Sequence, residues 1–257
     1  EGEEGESLLS PQNGDRESIS LPTSQINYIK ELSIAGAKII LVLTGGSPIA
    51  LGEVEDIVDA IVFVWYPGME GGNAVADVLF GDVSPSGKLP LTFPKSIEQL
   101  PAFDDYSMTG RTYRYMTEEP LFPFGFGLSY STFEYSDLKF EKDILQSGES
   151  LTIHFTVSNT GAQTAAEVSQ IYLSDLRAST IVPLQHLVGF ERFELQPATS
   201  RTIDFRITPE MMSFFNDEGK LTLEPGDFRL EVGGCSPSLR GQALGAPKPL
   251  VKTFTVK

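Results

Sequence analysis

The fold is decided by the stretch KIILVLT at residues 38–44, an unbroken apolar run that is followed by two glycines, Gly45 and Gly46. An apolar run of this length, bounded by turn residues, is typical of a strand that is buried on both faces of a parallel sheet. A second such run, AIVFVW, occupies residues 60–65. Helical patterns precede the first run and follow the second, and a short amphipathic helix is predicted at residues 53–58. Helices and strands that alternate across short loops predict an open, mainly parallel sheet in an αβα sandwich.

The composition changes between Asp82 and Leu128. Six prolines in this stretch exclude a long helix or a central strand: Pro85, Pro90, Pro94, Pro101, Pro120 and Pro123. Tyrosines and phenylalanines lie between them, whereas a solvated linker is poor in aromatic residues. This segment is therefore predicted to be a connector that packs across the surface of its neighbouring domains.

The rest of the chain alternates between apolar and polar residues with the period of two that half-buried antiparallel strands show. The clearest run has four apolar residues on one face: Leu151, Ile153, Phe155 and Val157. About seven such strands predict a β-sandwich of the immunoglobulin or fibronectin type III kind. We expect an αβα domain over residues 1–95, an aromatic and proline-rich connector over residues 96–128, and the sandwich over residues 129–257.

The net charge narrows the classes of partner. Nineteen Lys and Arg against 35 Asp and Glu give 19 − 35 = −16. Nucleic acids and anionic membrane surfaces are poor partners for such a chain, because both bind clustered basic residues. One cysteine and two histidines exclude a disulfide framework and a Cys/His zinc site, so no metal and no cofactor are expected.

The chain starts at Glu1 without a methionine, and it is expected to be a piece of a longer protein whose αβα domain is truncated at its N-terminus. Its composition is compatible with bacterial cytoplasm, periplasm and the cell exterior alike.

Carboxylates are the residues most able to carry chemistry. His154 is expected on a solvated strand face, His186 at a strand edge, and Cys235 has no partner in the sequence, while no G-x-S-x-G motif is present. Four acids crowd the first six residues: Glu1, Glu3, Glu4 and Glu6. Two interpretations stay open: a self-repelling acidic tail, or a flexible loop that presents one carboxyl of raised pKa as a general acid.

A resemblance goes further than these patterns. The stretch YPGMEGGNAVADVLFGDVSPSGKLP at residues 66–90 resembles the C-terminal αβα domain of glycoside hydrolase family 3. RTYRY at residues 111–115 and PLFPFGFGLSY at residues 120–130 resemble the segment that joins this domain to a fibronectin-like one. VPLQHLVGFER at residues 182–192 is similar to a strand pair of that last domain. Members with this layout are chiefly β-glucosidases and β-xylosidases.

The resemblance implies an active site that is divided between two domains. In the family, an N-terminal (β/α)8 barrel carries an Asp nucleophile, so the nucleophile is expected to lie outside this chain. A loop of the αβα domain, with a Gly-Glu-rich segment and then Gly-Asp-Arg, supplies the Glu acid/base. By that register Glu3 is the acid/base, with Glu4 the second choice and Glu1 the third. Asp15 and Arg16 would support the loop, or form a surface ion pair at a turn.

The implied reaction is hydrolysis of terminal non-reducing β-linked sugars with retention of configuration, through double displacement. The substrate would be a β-linked oligosaccharide or an aryl or alkyl β-glycoside, and this chain alone would be inactive without its barrel. One rival is a non-catalytic carbohydrate-binding or interaction module of the same folds. A second rival is an N-acetylglucosaminidase with a His–Asp dyad, but members of that type commonly lack the fibronectin-like tail. The preference for glucose or xylose stays open.

Other residues that match the family are predicted to be structural. Glu70 is expected to stabilise the N-terminus of a helix rather than to contact sugar. Trp65, at the end of a buried strand, is expected to pack in the core rather than to form a sugar platform. Tyr113 and Tyr115 are expected to press the connector against the barrel. The fibronectin-like domain is expected to serve as a scaffold rather than to bind carbohydrate.

Overall fold

The computed structural model describes residues 18–102 and 104–257. The chain divides into two compact units. The first comprises the chain up to Phe80 together with residues 93–105, and the second comprises residues 81–92 and 106–257.

The first unit contains a parallel pair of strands and two longer helices. Helix α1 (Thr23–Ile34) leads to strand β1 (Ile40–Leu43), and strand β2 (Ala60–Phe63) leads to helix α2 (Gly71–Phe80). The two strands pair in parallel from Ile40 opposite Ala60 to Leu43 opposite Phe63. The segment Gly52–Ile57 between them is a 3-10 helix around the buried Val54, where the sequence predicted a short amphipathic helix.

The predicted burial of β1 on both faces is wrong for the described part of the unit. Leu43 on one face is buried, but Ile40 and Val42 on the other face are 51% and 39% exposed. Strand β2 is only half-buried along Ile61–Phe63. The reason is the pairing: each strand has one described neighbour, and no described layer covers the Ile40–Val42 face. An unbroken apolar run therefore does not predict which face of the strand is packed against other residues.

The second unit is a β-sandwich with eight strands in its two sheets. The five-stranded sheet has the order β4-β12-β11-β6-β7, and the three-stranded sheet has the order β3-β5-β8. The strands of the unit are β3 (Phe133–Phe140), β4 (Ile144–Leu145), β5 (Leu151–Asn159), β6 (Ala165–Asp175), β7 (His186–Leu195), β8 (Ser200–Ile207), β11 (Gly226–Gly233) and β12 (Leu250–Val256), with a small hairpin of β9 (Phe214–Phe215) and β10 (Leu221–Thr222). Two short helices, α3 (Thr112–Tyr115) and α4 (Leu239–Ala243), complete the unit.

The core of the sandwich follows the alternation that the sequence predicted. Leu151, Ile153, Phe155 and Val157 are all buried in β5, at 1% exposure or less. In the five-stranded sheet, Phe228 and Phe254 lie opposite each other on the neighbouring strands β11 and β12, and their rings stack with 5.4 Å between the centroids. Burial of four such side chains on one face is worth several kcal/mol, because each fully buried aliphatic or aromatic side chain contributes about 1.5–3 kcal/mol.

Most of the aromatic connector belongs to the second unit. Gly125 N donates to Leu89 O at 2.7 Å, and Leu89 N donates to Phe126 O at 2.9 Å, so the connector pairs with the segment around Leu89 that precedes it. The ring of Tyr113 stacks on Phe124 at 4.3 Å, and its hydroxyl accepts a hydrogen bond from Leu187 N at 3.1 Å. These contacts lie within the second unit, and the expectation that Tyr113 presses the connector against a barrel stays a prediction.

Candidate functional site

The carboxyl edge of the parallel strand pair is the first place to look for a site. Gly45 and Gly46 follow β1, while Trp65 and Tyr66 follow β2, and Gly45 N donates to Trp65 O at 3.3 Å. The two loops are therefore joined directly. In open α/β sheets, ligands bind outside the carboxyl ends of the strands, so this edge is the candidate site of the first unit.

The first described residues of the chain bond to the segment between β1 and β2. Ile19 O accepts a hydrogen bond from Ala50 N at 2.8 Å, and Ser20 forms a parallel bridge with Ala50. Ala50 closes the loop that follows β1. The predicted site residues Glu3, Glu4, Glu1, Asp15 and Arg16 lie outside the described residues.

Trp65 has an unusual backbone conformation. Its φ is +53°, in the left-handed region that bulky residues rarely adopt and that costs roughly 1–3 kcal/mol. Its ring lies 4.6 Å from the ring of Phe63 and 6.3 Å from that of Phe93, centroid to centroid. Phe93 is only 2% exposed. Trp65 itself is half-buried, and these contacts agree with the prediction that it packs against the core of its unit.

The side chain of the next residue, Tyr66, is exposed instead. The residue is 73% exposed, yet its ring lies against Gly46: a Cβ at position 46 would be 2.8 Å from Tyr66 Cε2. The sequence pattern did not predict this exposed position of Tyr66. The signal was available only indirectly, in the Gly45-Gly46 pair that leaves space for a ring.

Glu70 lies at the start of α2. Its carbonyl oxygen accepts a hydrogen bond from Ala74 N at 3.0 Å, and Asn73 Nδ2 donates to its carboxylate at 2.6 Å. An acid at this position stabilises the helix dipole, which agrees with the predicted structural role.

The sandwich unit contains a buried ion pair that the sequence analysis missed. Lys88 Nζ lies 3.3 Å from Glu167 Oε1, with side chains 11% and 2% exposed. Lys88 also donates to Gly127 O at 2.8 Å, and the Tyr135 hydroxyl donates to Glu167 Oε1 at 3.2 Å. Burial raises the pKa of Glu167, while Lys88 opposes this rise. These charged groups and the hydroxyl satisfy one another. The ion pair also links the segment around Lys88 to strand β6 of the sandwich.

A neighbouring amide extends this network. Gln170 Nε2 donates to Gly125 O at 3.0 Å and to Gly234 O at 2.8 Å, and the Tyr172 hydroxyl donates to Gln170 Oε1 at 2.5 Å. Burial raises the pKa of the Cys235 thiol to about 11, so it stays protonated near neutral pH. This agrees with the structural role predicted for Cys235.

The two histidines do not form a catalytic arrangement. His154 Nδ1 lies 2.5 Å from Asp204 Oδ1 on the outer face of the three-stranded sheet, with its side chain 43% exposed. His186 Nε2 donates to Met211 O at 2.9 Å, and burial lowers the pKa of its imidazole. The first is a surface contact and the second is a neutral side chain that bonds to backbone.

A cavity of about 550 Å³ lies within the second unit, between the connector and one end of the sandwich. Its lining combines prolines with polar residues, among them Asp175 and Gln185. Gln185 Nε2 donates to Tyr113 O at 3.4 Å and to Pro237 O at 3.3 Å, and Asp175 Oδ1 accepts from Arg177 N at 2.9 Å. These groups are engaged in holding the walls together.

Within residues 18–102 and 104–257, no group of three or more His, Cys, Asp and Glu side chains is arranged to hold a metal ion. The helices in the described part of the chain are all too short or too polar to span a bilayer.

The fold and the sequence together define an αβα domain of glycoside hydrolase type followed by a fibronectin type III-like domain. The family model of the glycosyl hydrolase family 3 C-terminal domain matches residues 1–130, and that of the fibronectin type III-like domain matches residues 167–236. The chain belongs to glycosyl hydrolase family 3, which confirms the resemblance and the fold class expected from the sequence.

Its relatives include both kinds of enzyme that the resemblance implied. The chain is 41% identical over 237 residues to a periplasmic beta-glucosidase of Salmonella typhimurium, covering 88% of this chain and 31% of the relative. It is 43% identical over 226 residues to a xylan 1,4-beta-xylosidase of Xylanibacter ruminicola, covering 88% of this chain and 26% of the relative. The chain thus spans about a third or less of the length of these relatives.

Two solved structures of beta-glucosidases also match the fold of this chain. A β-glucosidase from Erythrobacter marinus matches with a TM-score of 0.82 and 31% identity, over 98% of this chain and 32% of that one. A beta-glucosidase from Listeria innocua in complex with glucose matches with a TM-score of 0.80 and 32% identity, over 95% of this chain and 34% of that one.

Proposed function

We propose that this chain is the C-terminal part of a retaining exo-β-glycosidase and that it contributes the acid/base Glu3. The observation that carries the proposal is the family match over residues 1–130, which includes the Gly-Glu-rich start and the Gly14-Asp15-Arg16 motif.

The proposed reaction uses two carboxylates from two domains. An Asp of an upstream (β/α)8 barrel attacks the anomeric carbon while Glu3 protonates the leaving oxygen, which gives a covalent glycosyl-enzyme. Glu3 then acts as a base and activates the water that releases the sugar. Two such carboxyl groups are expected about 5–5.5 Å apart. Glu4 is the alternative acid/base, and Asp15 and Arg16 would hold the segment in position.

The proposed substrates are β-linked oligosaccharides and aryl or alkyl β-glycosides. The relatives are named for glucosides and for xylosides, so the proposal covers terminal β-linked sugars of both kinds. No cofactor takes part in the mechanism, because a carboxylic acid and a carboxylate suffice for double displacement.

The stereochemistry of hydrolysis tests this proposal. The 257-residue chain alone should show no hydrolysis of a nitrophenyl β-glucoside or β-xyloside, because it contributes only one carboxylate of the pair. The polypeptide extended upstream through its own barrel should hydrolyse at least one of them. Proton NMR should then show the β-anomer as the first sugar product. Activity of the chain alone, or first release of the α-anomer, would contradict the proposal.

A further inference from the structure

We propose that residues 81–92, which we call the strap, form a clamp through which the folded sandwich unit stabilises the first unit. The strap follows helix α2 directly, yet it belongs to the second unit, and the chain returns to the first unit at Phe93. Both neighbours of the strap in the sequence are therefore parts of the first unit. The clamp gives the fibronectin-like domain a specific task as a scaffold.

The strap is bonded to the rest of the second unit at positions spread along its length. Ser86 Oγ accepts hydrogen bonds from Arg192 Nε and Nη2 at 3.3 and 3.1 Å. Near the end of the strap, Thr92 Oγ1 accepts a hydrogen bond from Tyr113 N at 2.8 Å. The strap residues that make these and similar contacts are Ser84, Ser86, Lys88, Leu89 and Thr92. Contacts at so many positions hold the strap in one conformation.

The strap also approaches the connector closely at Gly127. A Cβ at this position would collide with Gly87 O and would lie 3.2 Å from Lys88 Cδ. Because the first of these atoms belongs to the backbone, a side chain at position 127 would force the strap to move. The φ of Gly127 lies outside the left-handed region, so an alanine there would act through this contact and not through backbone strain.

The strap leads directly into the packing of the first unit. Phe93 is 2% exposed, and its ring lies 5.3 Å from the ring of Phe63 and 6.3 Å from that of Trp65, at the end of β2. For the first unit, residues 81–92 are a loop between α2 and Phe93, and closing a flexible loop costs conformational entropy. A sandwich that already orders the strap removes this cost, so the first unit gains stability from it.

Hydrogen exchange of the 257-residue chain, followed by mass spectrometry, tests this coupling. Gly127→Ala should speed exchange of the backbone amides of residues 60–66 about tenfold, because the displaced strap leaves a flexible loop in the first unit. Exchange in the strap itself should rise with it. Gly226→Ala is the matched control, since a Cβ there would meet Arg177 Cβ at 3.5 Å, an ordinary contact. It should leave exchange in residues 60–66 within about twofold of the wild type.

Two further variants separate the strap from a general loosening of the sandwich. Arg192→Ala is a milder change that removes the hydrogen bonds to Ser86, and it should speed exchange in residues 60–66 about two- to threefold. Ile207→Ala removes a fully buried side chain of β8, so it should speed exchange in β5 but leave residues 60–66 within about twofold. Unchanged exchange in residues 60–66 of Arg192→Ala and of folded Gly127→Ala would overturn the proposal. An increase in Ile207→Ala as large as that in Gly127→Ala would overturn it as well.

Discussion

Replacing Glu3 with Gln is expected to lower kcat/KM for cellobiose or an alkyl β-glycoside about 10³-fold in the full polypeptide. The amide cannot donate a proton to the departing oxygen, and a positioned general acid accelerates such a step by roughly 10²–10⁴-fold. A nitrophenyl glycoside should lose much less in kcat/KM, because nitrophenolate leaves without a proton. A burst of nitrophenolate is expected with it, since the same residue also activates water in the second step.

The matched control is the adjacent acid. Glu4→Gln removes the same charge from the same segment but leaves the proposed proton donor in place. It should therefore keep kcat/KM for both substrates within a few-fold of the wild type. Steady-state assays with both leaving groups decide between the two residues. A loss that depends on the leaving group in Glu4→Gln but not in Glu3→Gln would move the assignment to Glu4. Normal activity of both variants would remove Glu3 and Glu4 from the mechanism.

The second large effect concerns the stability of the sandwich unit. Lys88→Met is expected to lower the free energy of unfolding by about 4 kcal/mol, because it leaves the Glu167 carboxylate buried without its cation. The double variant Lys88→Met/Glu167→Met should recover most of this loss, since well-packed apolar residues often replace a buried ion pair without cost. Urea denaturation followed by circular dichroism measures both.

An exposed ion pair of the same unit provides the control. Lys142 Nζ lies 2.8 Å from Glu149 Oε2, with side chains 40% and 41% exposed. Lys142→Met should cost less than about 1 kcal/mol, because water and salt screen such a pair. Equal losses for Lys88→Met and Lys142→Met would contradict the structural role given to the buried pair.

The pH dependence of Lys88→Met provides an independent readout. Burial already raises the pKa of Glu167 in the folded state, and removal of Lys88 should raise it further. The folded state then binds this proton more tightly than the unfolded chain does. Stability relative to the wild type should therefore recover as the pH falls through the folded pKa of Glu167. A loss that does not vary with pH would show that Glu167 is not the group left unpaired.

Sequence patterns were sufficient to predict those features of the structure that depend on neighbouring residues in the chain. The alternation in β5 predicted which side chains are buried, because a strand with one core face exposes every second residue. Helix α2 ends before Gly81, whose φ of +83° is the conformation that a glycine supplies at the C-terminus of a helix. The family motifs were long enough to identify the C-terminal domain over residues 1–130.

Sequence patterns were insufficient to predict those features of the structure that depend on contacts between residues far apart in the chain. Glu167 is an acid near the start of the mostly buried strand β6, and its burial is explained by two partners from elsewhere in the chain, Lys88 and the Tyr135 hydroxyl. Trp65 has a left-handed backbone conformation, which no propensity predicts for a bulky residue. The choice between Glu3 and Glu4 rests on register alone, because the repeated acids give the same local pattern at both positions.

The most direct test of the central claim is azide rescue of Glu3→Ala in the full polypeptide. With a nitrophenyl glycoside the variant should form the glycosyl-enzyme and then turn over slowly for lack of a base. Azide needs no base, so it should restore turnover and yield a β-glycosyl azide, identified by NMR. The account predicts this product for Glu3→Ala and its absence for Glu4→Ala. Failure of azide to accelerate Glu3→Ala, or formation of the α-azide, would contradict the role of Glu3 as acid/base.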